Sequence, residues 1–120
     1  MLSSFVHAQV DADTLLSLRF ENSLNGESGE IPVASILTTH EPGVSGQSVA
    51  LGTGSRISYQ AANNINSREG TIEFWIRPNW NGNDGLVHPI IDWNGSTYGG
   101  MTFLKAENGV LGLSMDRSLR

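Results

Sequence analysis

Five residues in the second half of the chain have the chemistry of a sugar-binding surface: Trp80, Asp92, Trp93, Asn94 and Tyr98. An indole face offers flat apolar area to the C–H face of a pyranose, and carboxylate or amide groups fix hydroxyls by hydrogen bonds. All five fall in or beside the loops expected at strand ends, where binding groups concentrate. The same aromatics suit a second role, because Trp and Tyr at strand ends also cap a sandwich core. Exposure separates the two: a binding surface leaves Trp80 and Trp93 open and near one another, whereas a spacer buries them.

Catalytic patterns are missing from the sequence. It has no Gly-x-Ser-x-Gly elbow, no phosphate-binding Gly loop and no His-Glu-x-x-His, and His7, His40 and His88 stand singly. A retaining glycosidase needs two carboxyl groups about 5 Å apart, which alternating positions of one strand supply. Here Glu73 is followed at that spacing by Trp75 and Arg77, while Asp92 and Asp116 are solitary. The expectation is a chain that binds rather than catalyses. Asn94-Gly95-Ser96 also fits an N-glycosylation acceptor, relevant only in a eukaryotic secretory route.

The charge balance narrows the partners. With a formal net charge of −5 and no Lys/Arg cluster, the chain cannot replace counterions along a phosphate backbone, so nucleic acid is excluded as a partner. The absence of cysteine rules out a disulfide framework, thiol catalysis and Cys-type zinc sites without ruling out export. No apolar run approaches the ~20 residues needed to span a bilayer, so membrane insertion is not expected. Val6-x-Ala8 places small residues where a signal peptidase would need them, yet a basic start is missing. Residues 1–13 therefore read equally as a signal-peptide remnant or as a disordered start.

These groups need a scaffold, and the sequence points to β-structure. A length of 120 residues suits one domain, and 14 Gly with only 16% charged residues favours turn-rich sheets over helices. No window sustains a helical apolar period, and the one helix-tolerant stretch, 60–68, reads as a loop. Residues 70–77 carry the clearest period-two pattern, with Ile72, Phe74 and Ile76 on one face and Glu73, Trp75 and Arg77 on the other. Gly70 opens this segment and Pro78 closes it. Its apolar face calls for a second sheet to cover it.

Six further strands are expected. Leu16, Leu18 and Phe20 alternate with Ser17, Arg19 and Glu21, and a polar loop follows through Pro32. Gly43-Val44-Ser45-Gly46 leads into 47–51, then come 56–59, 89–93, 100–106 and 110–115. Asn-Gly pairs at Asn25, Asn81, Asn94 and Asn108 fall between these segments, the dipeptide favoured where both central turn residues need positive φ. Asn108-Gly109 is the clearest hairpin and pairs the last two strands antiparallel. Residues 81–85 are longer than a tight hairpin needs and read as an exposed flexible loop beside Trp80.

Three segments, in this order and spacing, resemble a LamG-type domain: Leu16-Ser17-Leu18-Arg19-Phe20-Glu21-Asn22-Ser23, Gly43-Val44-Ser45-Gly46-Gln47-Ser48-Val49-Ala50-Leu51, and Gly70-Thr71-Ile72-Glu73-Phe74-Trp75-Ile76-Arg77-Pro78. The resemblance covers about residues 14 to 115. It implies an all-β, antiparallel jelly-roll β-sandwich of the concanavalin A-like kind, with residues 14–120 as one partial domain. Such domains continue with a further strand opening on His or Trp and a Leu-Tyr-Val-Asp-Gly-like strand. Neither is matched here, so the sandwich is expected to be incomplete at its C-terminal end.

The resemblance also sets functional expectations. It implies a carbohydrate- or protein-binding module of an extracellular or cell-surface protein, monomeric within a larger chain, with a glycan or an extracellular protein as partner. The alternative is a structural spacer accessory to a glycoside-hydrolase-type enzyme whose catalytic residues lie elsewhere. Relatives often carry Ca²⁺, for which Glu21, Asn22 and Asn25, with Glu30 nearby, supply hard oxygen ligands. Ordinary turn chemistry accounts for the same residues. Trp75 looks like a sheet-packing residue, and Glu73 and Arg77 form at most a surface pair of little energy.

Overall fold

The computed structural model describes residues 12–66, 68–95 and 99–115, with the backbone alone for 94, 95 and 99. The described chain is all-β, without a helix, and holds two antiparallel sheets. Two compact units divide it, Met1–Ile65 and Asn66–Arg120, and each contains one sheet.

In the N-terminal unit, β1 (Ala34–Pro42) pairs with β2 (Gln47–Ser58). The turn between them closes through the Gly43 N–H, which donates to the Gly46 carbonyl at 2.9 Å. Gly46 sits at φ +68°, a region that an L side chain rarely enters. The ladder runs from Pro42↔Gln47 to Thr38↔Leu51, breaks, and resumes at Ile36↔Arg56. In the break, Ser55 Oγ donates to the Leu37 carbonyl at 2.6 Å and accepts the Gly52 N–H at 3.0 Å, so one hydroxyl satisfies two backbone groups that the bulge releases. The expected strands 47–51 and 56–59 are thus two ladder halves of one strand, separated at Gly52-Thr53-Gly54-Ser55. β1 itself carries no strand signal in the sequence reading, because Ser35, Thr38, Thr39 and His40 leave it without a clean apolar face.

Three of the expected strands form the C-terminal sheet in the order β3-β4-β5: β3 (His88–Gly95), β4 (Gly99–Lys105) and β5 (Leu111–Met115). Residues directly opposite in an antiparallel ladder share a face, and the register therefore sorts the sheet. Ile91 and Trp93, Met101, Phe103 and Lys105, and Leu111, Leu113 and Met115 lie on one side. Asp92, Thr102, Leu104, Gly112 and Ser114 lie on the other. A register shift between Pro89 and Ile91 makes Ile90 the extra residue of a bulge. Met101, at 5% exposure, is the buried hydrophobic centre of this face.

The Asn108-Gly109 hairpin forms as expected, but by another turn. Gly109 N–H donates to the Ala106 carbonyl at 2.9 Å, Ala106 N–H donates to the Val110 carbonyl at 2.8 Å, and Gly109 alone takes positive φ, at +82°. This is a three-residue loop with glycine at the left-handed position, not the two-residue turn with both central residues inverted. Asn25 and Asn81 also lack positive φ; inverted backbone falls instead at Gly29 and Gly85.

Two expected strands are corrected. Residues 16–20 and 70–77 carry no strand ladder. A strand exists where a neighbour accepts and donates its backbone hydrogen bonds, and neither segment is paired in either sheet. Phe20 and Asn22 also turn to φ +57° and +54°, which ends any extended run at the first segment. At the second, the apolar face is only partly covered, with Ile72, Phe74 and Ile76 at 51%, 42% and 48% exposure. The Phe74 ring meets Phe103 edge-on at 5.6 Å, while Trp75 is 84% exposed rather than packed on a sheet. Within the expected loop 60–68, residues 61–65 form a turn, with the Asn64 and Ile65 N–H groups both donating to the Ala61 carbonyl.

Candidate functional site

The best-defined polar cluster lies in the C-terminal unit, where the loop 79–87 meets the apolar face of the sheet. Local turn chemistry shapes the loop: Asp84 N–H donates to the Asn81 carbonyl at 3.2 Å, and Asp84 Oδ1 accepts the Leu86 N–H at 3.0 Å. These bonds aim the Asp84 carboxylate at two strand residues. Its Oδ1 accepts a hydrogen bond from Lys105 Nζ, and its Oδ2 lies 2.6 Å from His88 Nε2. Lys105 Nζ also donates to the Leu86 carbonyl at 2.9 Å and stands 5.7 Å from the centre of the Trp80 ring. The Trp80 ring stacks on the His88 imidazole at 4.6 Å, within 5° of parallel.

Lys105 is the exceptional member. It occupies an apolar-face position beside Phe103, and its side chain is 1% exposed. A buried ammonium is tolerated only when paired and hydrogen-bonded, and Asp84 and the Leu86 carbonyl meet both needs. The Lys105 hydrogen bond, then that of His88 and then the Leu86 N–H, hold the Asp84 carboxyl well below the usual carboxylate range. Such a carboxylate is a fixed anion and a poor general base. Among the described residues no hydroxyl is hydrogen-bonded to His88.

Beside the cluster lies a cavity of about 380 Å³, walled by Phe74, Ile76, Ile90, Phe103 and Leu111, with Trp80 and Lys105 at its polar end. The Asn108-Gly109 turn closes one side. A Cβ on Gly109 would stand 2.9 Å from the Gly82 carbonyl oxygen, so this close approach requires glycine.

The sequence candidates divide among these places. Trp80 lies at the cavity, half-buried. Trp93 is half-buried on the apolar face, directly across from Met101. Asp92 is exposed on the opposite face, where it accepts a hydrogen bond from Thr102 Oγ1 at 2.9 Å. Adjacent strand residues point to opposite faces, so Asp92 and Trp93 do not share one site. Asn94 is opposite Gly100 in the ladder. Tyr98, Ser96, Asp116 and the first eleven residues lie outside the described residues.

In the N-terminal unit, the acidic candidates serve turns. Both oxygens of Glu21 accept the Gln47 N–H, at 3.2 and 3.1 Å, and Glu30 Oε2 accepts the Ser28 N–H at 3.1 Å. Asn22 and Asn25 are exposed, and among the described residues no three His, Cys, Asp or Glu side chains gather as a metal site. Glu21 is thereby engaged on the backbone just after the Gly43–Gly46 turn.

Asp84, His88 and Lys105 were absent from the sequence candidates. One signal for them was present: a lysine two residues after Phe103 on an alternating apolar face needs a buried counter-charge. Reading 81–85 as flexible hid that partner, because the loop is exposed yet tied down through Asp84. No family model matches the chain, and neither a curated protein nor a solved structure matches it.

Proposed function

We propose that the chain is a non-catalytic binding module of an extracellular or cell-surface protein, built as part of a LamG-like jelly-roll β-sandwich and taking a carbohydrate or protein ligand. The observation that carries this reading is the cavity of about 380 Å³ with Trp80 and Lys105 at its polar end. A concave, mostly apolar pocket with a few convergent polar groups is the usual form of a ligand site. The amphipathic C-terminal sheet supports the sandwich: Leu111, Leu113 and Met115 are each more than half exposed on its apolar face, and a second layer would cover them.

A spacer role is the second reading, favoured by the engagement of Trp80 with His88 and Lys105 and by the half-burial of Trp93. Titration separates the two. The folded protein is followed by amide NMR while neutral β-glucan and galactan oligosaccharides, and separately calcium chloride, are added. Shifts grouped around Trp80 and Lys105 support the module. Saturating oligosaccharide with every resonance unmoved refutes glycan binding and leaves a protein ligand or the spacer. A calcium-dependent shift at Glu21, Asn22 and Asn25 would overturn the reading of those residues as turn chemistry.

A further inference from the structure

We propose that Asn81 is a self-modification site, at which the Asn81-Gly82 peptide cyclises and deamidates ahead of the other Asn-Gly pairs in the chain. The reaction is intramolecular. The glycine backbone nitrogen attacks the asparagine Cγ, an N–Cγ bond forms, and the Cγ–Nδ2 bond breaks. The side-chain nitrogen leaves as ammonia, taking up the proton that the backbone nitrogen releases. Water then opens the succinimide at either carbonyl and leaves aspartate or isoaspartate. No oxidant or cofactor enters the balance.

The fold treats the attacking nitrogens differently. After Asn25, the Gly26 N–H donates to the Glu30 carbonyl at 2.8 Å, and Gly26 is buried. After Asn108, the Gly109 N–H donates to the Ala106 carbonyl at 2.9 Å. Asn94 and Gly95 are held in the β3–β4 ladder, opposite Gly100 and Gly99. After Asn81, the Gly82 N–H donates to no described group, and a Cβ placed on Gly82 meets nothing within 4 Å. An attacking nitrogen at Gly82 therefore breaks no hydrogen bond and meets no obstruction.

The electrophile is prepared as well. Asn81 Oδ1 accepts the Asn83 N–H at 3.0 Å, a side-chain turn that fixes the amide beside the Gly82 peptide unit it spans. That N–H also points at the oxygen on which negative charge develops in the tetrahedral intermediate. Asn108 is the internal control. Its Oδ1 accepts the Val110 N–H at 3.2 Å in the same way, so the two sites differ in whether the following nitrogen is free. Conversion at Asn81 would reach the candidate cavity, because the Asn81 carbonyl accepts the Asp84 N–H and so helps to aim Asp84 at Lys105 and His88.

The test incubates the intact folded protein at mildly alkaline pH beside a sample in denaturant. Mass spectrometry of the digest follows each Asn-Gly pair, and isoaspartate is confirmed by isoaspartyl methyltransferase labelling. In the folded protein Asn81 is expected to convert about fivefold or more faster than Asn108, the factor that one hydrogen bond of ordinary net strength represents. In denaturant the two rates converge, and Asn81→Gln removes the early product. Equal conversion at Asn108 or Asn25 in the folded protein overturns the proposal, as does a preference for Asn81 that persists unchanged in denaturant.

Discussion

Replacing Asp84 with Asn keeps the shape of the carboxylate and removes its charge, which leaves the Lys105 ammonium buried without a counter-ion. Lys105 is 1% exposed, while Asp84 lies at the surface with its side chain 21% exposed. Removing the carboxylate takes one charge-assisted hydrogen bond from the Lys105 ammonium, worth about 1.5–3 kcal/mol, and the Leu86 carbonyl and the Trp80 face remain. A unit the size of Asn66–Arg120 has only about 3–8 kcal/mol of stability in all. The loss is therefore a large share of that stability, and the melting point should fall by roughly 6–24 °C. All three tryptophans, Trp75, Trp80 and Trp93, lie in this unit, so thermal melting followed by tryptophan fluorescence reports on it directly. The double variant Asp84→Asn/Lys105→Met leaves no buried charge and should recover most of the loss. An Asp84→Asn protein melting within about 3 °C of the parent would refute the reasoning, since that is less than the shift expected from 1 kcal/mol.

Acid should act through the same carboxylate. Because the fold holds Asp84 below its ordinary range, its stabilising contribution is complete at neutral pH and is lost as pH falls below the unfolded value of about 3.9; a tryptophan-detected melting series should show this acid limb, and Asp84→Asn should flatten it. Phe74→Ala removes the edge-on contact with Phe103 and should destabilise the C-terminal unit by about 1–2 kcal/mol, a partial cost for a ring 42% exposed; no change in denaturant midpoint would remove Phe74 from the packing. Gly46→Ala forces a left-handed φ on an L residue and displaces the Glu21 carboxylate, so the β1–β2 hairpin should lose about 1–2 kcal/mol, chiefly from the backbone, read by amide exchange at Gln47 and Ser48. Unchanged protection there would show that Glu21 does not anchor the turn.

Particular residues show what was legible. The alternation of Met101, Phe103 and Lys105, and of Leu111, Leu113 and Met115, marks two strands, and Asn108-Gly109 between them forces their antiparallel pairing. The alternation at 70–77 separates Phe74, which meets Phe103, from the outward Trp75, while Ile72, Phe74 and Ile76 all stay about half exposed. It does not supply a ladder. Period two reports the burial of one face, whereas strand hydrogen bonds depend on a neighbour that the local sequence does not encode. β1 shows the converse: a pairing partner makes a strand of Ala34–Pro42, where the amphipathic signal is weak.

The candidate site divides in the same way. The sequence by itself determined that this is a β-rich, acidic chain without cysteine or an assembled catalytic motif, and that Trp80 borders a loop. Those properties depend on composition and on neighbours in the chain. Only tertiary structure decided that Asp84, His88 and Lys105 converge across as many as 21 positions, that Asp92 and Trp93 part to opposite faces, and that Glu21 closes a turn 26 residues away. Local sequence sets backbone preference over a few residues. The pairing of distant charges follows from register and burial, because a lysine brought to the dry face of a sheet must find its anion wherever the fold has carried one.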